Sequence, residues 1–284
     1  PLTVPNRVVL APLAGIGNWC VRLQARRYGA GLTVSEMVSS HAIHYRNEKT
    51  LVELLRIDPR ERAADLPHGP DGIIAVQLFG QDPEIMRSAA ATAAERGADV
   101  IDLNMGCPVP KVCRTGAGAA LLKDPDTAVA VARAAAEGSG LPVTVKLRSG
   151  QKKGDVDGAA LAVRLAEEAG VAAIGFHPRS AQVHHKGVPD YDLAAEVVQA
   201  LDGRSAVTRN TGTTSWCAQA MQGLSSGWTC PQDEQAYWLT PSTCGRPTLV
   251  AGYSRAASGR RFHGNDRDWP TSKYSATTTP CCSI

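Results

Sequence analysis

The sequence predicts an α/β protein built as a (β/α)8 TIM barrel, whose repeat is incomplete or disrupted after about residue 208. Short runs that are apolar on both faces, as in buried parallel strands, alternate with capped helical stretches. Six or seven such units occupy about 208 residues, which fits a barrel in which eight units take about 250. No strand is followed by the GxGxxG fingerprint, which argues against an open dinucleotide-binding sheet.

The predicted strands are short and rich in aliphatic and β-branched side chains, as strands of a parallel sheet are. Because these runs contain few polar residues, neither face of the sheet is expected to contact solvent, and both faces should be covered by other elements. They are predicted at 8–11, 32–34, 73–79, 99–103, 143–147, 172–176 and, as a weaker run, 205–208.

The predicted helices begin with recognisable caps. Asp82-Pro83-Glu84 offers an N-cap, a proline at the first helical position and an acid in the first turn, and that helix is expected to end at Gly97. Asp124-Pro125-Asp126 begins a second helix by the same logic, ending near Gly138. Two further helices are predicted at 157–169 and 190–201.

The chain changes character near residue 209, which divides it into residues 1–208 and an atypical tail at 209–284. Four of the five tryptophans and five of the eight cysteines lie in the tail, where Ser and Thr cluster and periodicity fades. A barrel cannot close without its last strands. We therefore hypothesise that the tail is a frameshifted continuation, with a divergent or disordered C-terminal region as the alternative.

Composition and charge place few limits on function. The chain is 43% hydrophobic and 20% charged, with a mean hydropathy of −0.16, and it contains no apolar run of membrane-spanning length. A cytoplasmic protein is expected. Residues 1–208 hold 23 basic and 23 acidic residues, so any RNA contact needs a local basic patch assembled by folding. No Cys/His spacing suits zinc, so no metal is expected.

Five predicted strands have distinctive ends, where the working residues of a barrel project, and four of these ends are polar. The strand ends carry Ala11 to Gly15, Gln77, Asn104 to Pro108, Lys146-Leu147-Arg148 and His177-Pro178-Arg179. A buried strand has little reason to end in Gln, Lys, Arg or His unless something binds there. Among the cysteines of residues 1–208, only Cys107 has a context that indicates chemistry, because Gly106 and Pro108 predict an exposed turn around it.

Several of these segments occur in an order that resembles the tRNA-dihydrouridine synthase family over roughly residues 1–207. The most specific is the block Asn-x-Gly-Cys-Pro with a glycine-rich helix start after it. The matching segments are Ala11 to Gly15, Gln77 to Gly80, Asp102 to Pro108, Lys111-Val112, Gly116 to Leu122, Val145 to Arg148 and His177-x-Arg179.

The resemblance implies a flavin mononucleotide (FMN) enzyme that acts on tRNA. Family members use NADPH to reduce the flavin, which delivers hydride to C6 of a flipped-out uridine, while a cysteine protonates C5. The implied roles are Cys107 as the acid; Pro12, Leu13, Ala14, Gln77, Lys146 and His177 as flavin contacts; and Asn104, Arg148 and Arg179 as substrate contacts.

Elementary chemistry agrees with these implied roles. A lysine ammonium stabilises the negative charge of a reduced flavin near N1 and O2, and a glutamine offers both a donor and an acceptor to the ring edge. Hydride addition at C6 leaves a carbanion at C5 that needs one acid. A thiol with an ordinary pKa near 8.5 is protonated at neutral pH and can donate.

The tail departs from the family pattern. Family members bind the FMN phosphate through glycine-rich loops after the seventh and eighth strands and carry a C-terminal helical domain, and neither is recognisable after Thr208. Two alternatives therefore stay open. One is another FMN barrel that reduces a free pyrimidine, and the other is a non-catalytic truncated remnant.

Overall fold

The computed structural model describes residues 3–6, 8–184, 186 and 188–202, together with the backbone of three short strands further on. The strands are β1 Thr3–Val4, β2 Val9–Leu10, β3 Leu32–Val34, β4 Val38–Ser39, β5 Ile73–Phe79, β6 Val100–Met105, β7 Val143–Arg148, β8 Ala173–His177, β9 Cys217–Ala220, β10 Tyr237–Thr240 and β11 Cys282–Ser283. The α-helices are α1 Trp19–Arg27, α2 Ser40–His44, α3 Pro83–Glu95, α4 Pro110–Cys113, α5 Pro125–Ser139, α6 Asp157–Glu168 and α7 Tyr191–Asp202. A π-helix at Thr50–Leu54 and 3-10 helices at Pro59–Arg62, Gly69–Asp71 and Gly118–Lys123 complete the set.

Six strands form one parallel sheet in chain order, β2-β3-β5-β6-β7-β8, and β4 also pairs with β5. Sequential parallel strands with intervening helices are the arrangement of a (β/α)8 barrel, so the predicted fold class is confirmed. Beyond β8 the order changes, because β10 lies antiparallel to β8 and β9 lies antiparallel to β10. The described parallel repeat thus ends at β8, and the run predicted at 205–208 lies outside the described residues.

Side chains alternate between the two faces of this sheet, and each face has its own apolar cluster. The outer cluster packs the sheet against α3, α5, α6 and α7. The inner cluster is smaller and occupies the start of β5 and β6 together with residues in or next to β1, β2 and β3: Val4, Val9, Ala11, Leu32, Val34, Ile73, Ala75 and Val100. Further along β5 to β8, most of the inward positions are polar.

The predicted helix caps are present. Asp82 accepts hydrogen bonds from the N–H groups of Glu84 and Ile85 at the start of α3, and Asp124 accepts from the N–H of Thr127 at the start of α5. The ends of α3, α5, α6 and α7 lie within two residues of the prediction. Helices α3 and α5 could be predicted because the Asp of each Asp-Pro pair accepts from otherwise unpaired N–H groups of the first turn, which depends on local sequence alone.

Helix α1 was not predicted, because its buried face carries arginine. Arg22 and Arg26 are each 1% exposed. Arg22 Nε and Nη2 donate to the two carboxylate oxygens of Glu61 at 2.8 and 2.9 Å. The same guanidinium donates to the carbonyls of Gly17 and Arg56, so it ties α1 to the loop that follows β2.

We predict that Arg22→Met lowers the free energy of unfolding by about 3–5 kcal/mol, because it leaves the buried Glu61 carboxylate without its charged partner. Urea denaturation monitored by circular dichroism measures the change. Arg164→Met is the control, since Arg164 pairs with Glu168 and Asp126 at the surface and such pairs contribute about 0–1 kcal/mol. Equal losses in both variants would contradict the prediction.

Candidate active site

The inward side chains become polar toward the carboxyl ends of β5 to β8. The strand register aligns Gln77 with Asp102, and Asp102 with Thr144. Asn104 aligns with Lys146 one row further on. Because every second residue faces the same side of a sheet, these side chains converge on one surface at the edge where a barrel carries its working residues.

The loop after β6 presents Cys107 at this edge. Asn104 Oδ1 accepts hydrogen bonds from the N–H groups of Gly106 and Cys107 at 3.1 and 2.9 Å. The carbonyl of Cys107 accepts from the N–H of Ala119 at 3.0 Å and from the thiol of Cys113 at 3.3 Å. The predicted turn is therefore present, but the prediction that it is exposed was wrong. Cys107 is only 8% exposed, because it packs with Val112 and other apolar neighbours.

The turn at Gly118 fits closely beneath Cys107. Gly118 has a φ of +61°, and a Cβ added there would lie 2.7 Å from the Cys107 carbonyl oxygen and 2.9 Å from Val112 Cγ1. The contact therefore requires glycine both for its backbone conformation and for the space. It explains why a glycine-rich segment follows the cysteine motif in the sequence.

A continuous hydrogen-bond chain runs from this loop into the barrel interior. Asn104 Nδ2 donates to Gln77 Oε1 at 3.0 Å, and Gln77 Nε2 donates to Asp102 Oδ2 at 2.5 Å. Thr144 Oγ1 donates to the other carboxylate oxygen of Asp102 at 2.6 Å. Asp102 is fully buried, so both of its oxygens are satisfied by protein donors rather than by water.

The electrostatics of the interior combine one carboxylate with several cations. Burial raises the pKa of Asp102 to about 6, although hydrogen bonds from Thr144 and Gln77 and the charge of Lys146 oppose the shift. Burial also lowers the pKa of His177, and the nearby charges of Lys146, Arg148 and Arg179 lower it further. The His177 imidazole is therefore neutral at neutral pH.

His177 is 1% exposed, and its Nε2 has no hydrogen-bond partner among the described residues. Leaving a buried polar atom unsatisfied is costly. The side chain ends β8 on the face where Lys146 and Gln77 also lie. An unsatisfied nitrogen in this position is consistent with a polar ligand that binds at the barrel mouth.

Arg148 holds the loops around the site together. Its Nε donates to the carbonyl of Gly106 at 2.9 Å, and its Nη1 donates to the carbonyl of His184 at 2.9 Å and to that of Ser180 at 3.4 Å. The side chain is 4% exposed. It therefore links the Cys107 loop to the loop after β8, where Arg179 is half-buried.

The loop after β2 forms another border of the site. Pro12 and Leu13 are half-buried and Ala14 is exposed. The Leu13 carbonyl accepts from the N–H of Gly17 at 2.7 Å, which closes the turn, and Glu36 accepts from the N–H of Gly15 at 2.9 Å. The structure thus places this predicted segment, partly exposed, at the same edge of the sheet as Gln77 and Asn104.

Two clefts open among the loops at this edge. A cleft of about 440 Å³ lies beside the Cys107 loop and a second of about 480 Å³ lies between the loops after β7 and β8. Arg179 lines the second. Cys107, Lys146 and His177 line neither of these two clefts, although Pro108 lines the first and Pro178 lines the second. The first cleft is lined by Pro108, Cys113, Ala119, Ala120, Lys123, Gln151, Ala181, Gln182 and His184.

Sequence reasoning missed Asp102 and Thr144 as site residues. The signal for Asp102 was available, because it precedes Asn104 by two residues in a strand and must share its face. Thr144 gave no such signal, since threonine is common in strands. Within the described part, no group of three or more acidic, His or Cys side chains could hold a metal ion, and no helix there has the length and apolar character needed to span a membrane.

Comparison with known proteins identifies the class. A family model described as Dihydrouridine synthase (Dus) matches residues 9–227. The chain therefore belongs to the dihydrouridine synthase family, as the resemblance of its motifs predicted.

Curated relatives carry the name tRNA-dihydrouridine synthase B. Those of Pseudomonas aeruginosa and Pseudomonas syringae pv. tomato are each 37% identical, over 201 and 202 residues, and that of Vibrio vulnificus is 36% identical over 196. The matches cover 69–71% of this chain but only 56–57% of those relatives. The chain thus spans little more than half the length of the relatives it matches.

Among solved structures, morphinone reductase aligns with a TM-score of 0.42 and 16% identity over 69% of this chain and 74% of that chain. A second morphinone reductase structure, in complex with tetrahydroNAD, aligns with a TM-score of 0.39 and 18% identity over 62% of this chain and 70% of that chain.

We predict that Gly118→Ala displaces the Cys107 loop, because the added Cβ would meet the Cys107 carbonyl. The alkylation rate of Cys107, followed by peptide mass spectrometry, should change several-fold, and the free energy of unfolding should fall by more than the roughly 1 kcal/mol of a left-handed alanine. Gly140→Ala is the matched control, with a φ of +65° and nothing within 4 Å of the added Cβ. The prediction fails if the two variants lose equal stability and Cys107 reacts at the wild-type rate.

Proposed function

We propose that this chain carries the catalytic region of a flavin-dependent tRNA-dihydrouridine synthase, which reduces a uridine of tRNA to 5,6-dihydrouridine. The observation that carries the proposal is the Cys107 loop. Asn104 fixes it at the carboxyl edge of the sheet, beside Gln77, in a chain of the dihydrouridine synthase family.

The interior residues fit a bound flavin. The unsatisfied Nε2 of His177 calls for a polar partner, and neutral imidazole can either donate to or accept from a ring heteroatom. Lys146 would place a positive charge at the electron-rich edge of the ring. Gln77 would contact the same polar edge. Pro12, Leu13 and Ala14 would line the ring through their backbone. We propose FMN as this flavin and NADPH as its reductant.

When bound, reduced FMN would supply the hydride that adds at C6 of the uracil ring. Cys107 Sγ would then give its proton to C5, so that one hydride and one proton saturate the C5=C6 bond and leave a thiolate. The thiolate would regain a proton from solvent. The small exposure of Cys107 would limit competing reactions of this thiol with solutes.

Three side chains are proposed to contact the substrate. Besides its hydrogen bond to Gln77 Oε1, the Nδ2 of Asn104 makes a weak one to Met37 Sδ at 3.7 Å, which a uracil carbonyl could replace at lower free energy. Arg148 and Arg179 border the same edge and would meet negatively charged or carbonyl groups of the RNA. The contacts that Arg148 already makes with Gly106 and His184 would keep its guanidinium in a fixed orientation.

We predict that Cys107→Ala lowers the rate of dihydrouridine formation by about 10²–10⁴-fold, the usual contribution of a general acid. The product is measured by mass spectrometry of nucleosides from unmodified tRNA incubated with protein, FMN and NADPH. Cys113→Ala is the control, because this thiol donates to the Cys107 carbonyl, which keeps its hydrogen bond from the N–H of Ala119, so the rate should change little. Wild-type activity on free uracil derivatives but not on tRNA would instead support the free-pyrimidine alternative.

We predict that Lys146→Met weakens FMN binding at least several-fold, because the cation at the polar edge of the ring is lost. Titration of FMN with flavin absorbance and fluorescence as readouts measures the dissociation constant. Lys123→Met is the matched control, since Lys123 is exposed on the 3-10 helix Gly118–Lys123 and lies in the cleft beside the Cys107 loop. A wild-type chain that binds no FMN at any concentration tested would contradict the proposed function and favour a non-catalytic remnant.

A further inference from the structure

The hydrogen-bond chain beneath Cys107 has a direction that the backbone imposes. The N–H groups of Gly106 and Cys107 can only donate, so the atom of Asn104 that faces them must be its oxygen. The amide nitrogen of Asn104 then faces Gln77, which must turn its own oxygen toward it. The remaining nitrogen of Gln77 is left facing Asp102, which must accept.

This orientation of the Asn104 and Gln77 amides therefore requires an acceptor at the far end of the hydrogen-bond chain. Asp102 is 0% exposed, so no water competes with Gln77 for its carboxylate. A buried carboxylate that accepts two hydrogen bonds, from Gln77 and Thr144, holds both donors in fixed positions. Sequence position alone would assign Asp102 to the ordinary interior of the barrel.

We propose that Asp102 is a positioning residue that holds the Cys107 loop in its proton-donating place through Gln77 and Asn104. The inference rests on the proposed function of Cys107 as the acid and adds a residue that touches neither flavin nor uracil. Asp102 acts by accepting from Gln77 Nε2, which stabilises the amide orientation that the N–H groups of Gly106 and Cys107 impose at the other end.

This role makes the loop sensitive to the protonation of Asp102. A protonated carboxyl is a poorer acceptor, so the hold on Gln77 weakens and the loop loosens. The charged group that faces Asp102 from β7 is Lys146, whose charge favours the ionised form; Gln77 on β5 and Thr144 on β7 are not titratable. His177 on β8 stays neutral because its pKa is lowered. With the pKa of Asp102 at about 6, the coupling falls in an accessible pH range.

The test follows the alkylation of Cys107 by N-ethylmaleimide from pH 5 to pH 8.5 in the full chain, without flavin or RNA. The thiolate is the reactive form, so an uncoupled thiol below its pKa loses about tenfold in rate for each pH unit. In the wild-type chain we expect the plot of alkylation rate against pH to become shallower below about pH 6, because the loosened loop exposes the thiol. We call this change of slope the break. Cys20, which is exposed, serves as the internal reference and should keep the uncoupled slope.

Three variants test whether the hydrogen bonds from Asp102 through Gln77 to Asn104 cause the change of slope. Asp102→Asn can still accept from Gln77 while it donates to Thr144, but it cannot titrate, so the break should disappear. Thr144→Val keeps the shape and removes a hydrogen bond that lowers the pKa of Asp102, so the break should move to higher pH. Gln77→Met leaves Asp102 in place and cuts the link to Asn104, so the break at Cys107 should disappear.

Three outcomes would overturn the proposal. One is a wild-type profile with the uncoupled slope throughout, which would mean that Asp102 does not govern the loop. Another is a break that persists in Asp102→Asn, which would show that another group titrates. A break that persists or merely moves in pH in Gln77→Met would likewise show that the influence does not pass through Gln77. Because the reaction needs neither FMN nor tRNA, its result is independent of whether the chain forms dihydrouridine.

Discussion

Two backbone N–H groups at the end of β6 need an acceptor, and the side chain of Asn104 supplies it. This requirement fixes the loop that carries Cys107, and through Gln77 it extends to the buried carboxylate of Asp102. A polar group that cannot reach water must be satisfied within the protein. The arrangement of the interior therefore follows from the few donors and acceptors that three adjacent strands bring together.

The two faces of the sheet have different roles, since the outer face contributes mainly to stability and the inner face carries the candidate active site. The outer face packs apolar side chains against helices and supplies most of the buried apolar surface. On β5 and β6 the inner face is apolar at the start of the strands, where Ile73 and Val100 lie, and carries the polar side chains of Gln77 and Asn104 further on. A polar cluster can be tolerated there because the outer core is large enough to hold the strands in register.

Prediction from sequence succeeded where a local pattern has one structural meaning. The Asp-Pro starts of α3 and α5 satisfy N–H groups within a single turn, and the apolar strands could only be buried. It failed for α1, whose inner face holds Arg22, because an arginine is buried only when a carboxylate such as that of Glu61 arrives from elsewhere in the chain. The prediction that Cys107 is exposed was wrong for a similar reason, because Val112 and Ala117, which follow it in the chain, pack against it.

The sequence by itself determined the parallel α/β class, the family and the set of strand-end residues from Gln77 to His177, because motifs and periodicity are local properties. The tertiary structure alone decided that Asp102 and Thr144 join that set and which amide atom of Asn104 faces the loop. It also decided that His177 Nε2 has no hydrogen-bond partner within the part of the chain that the structure describes. These features depend on strand register, which places residues from different parts of the chain side by side.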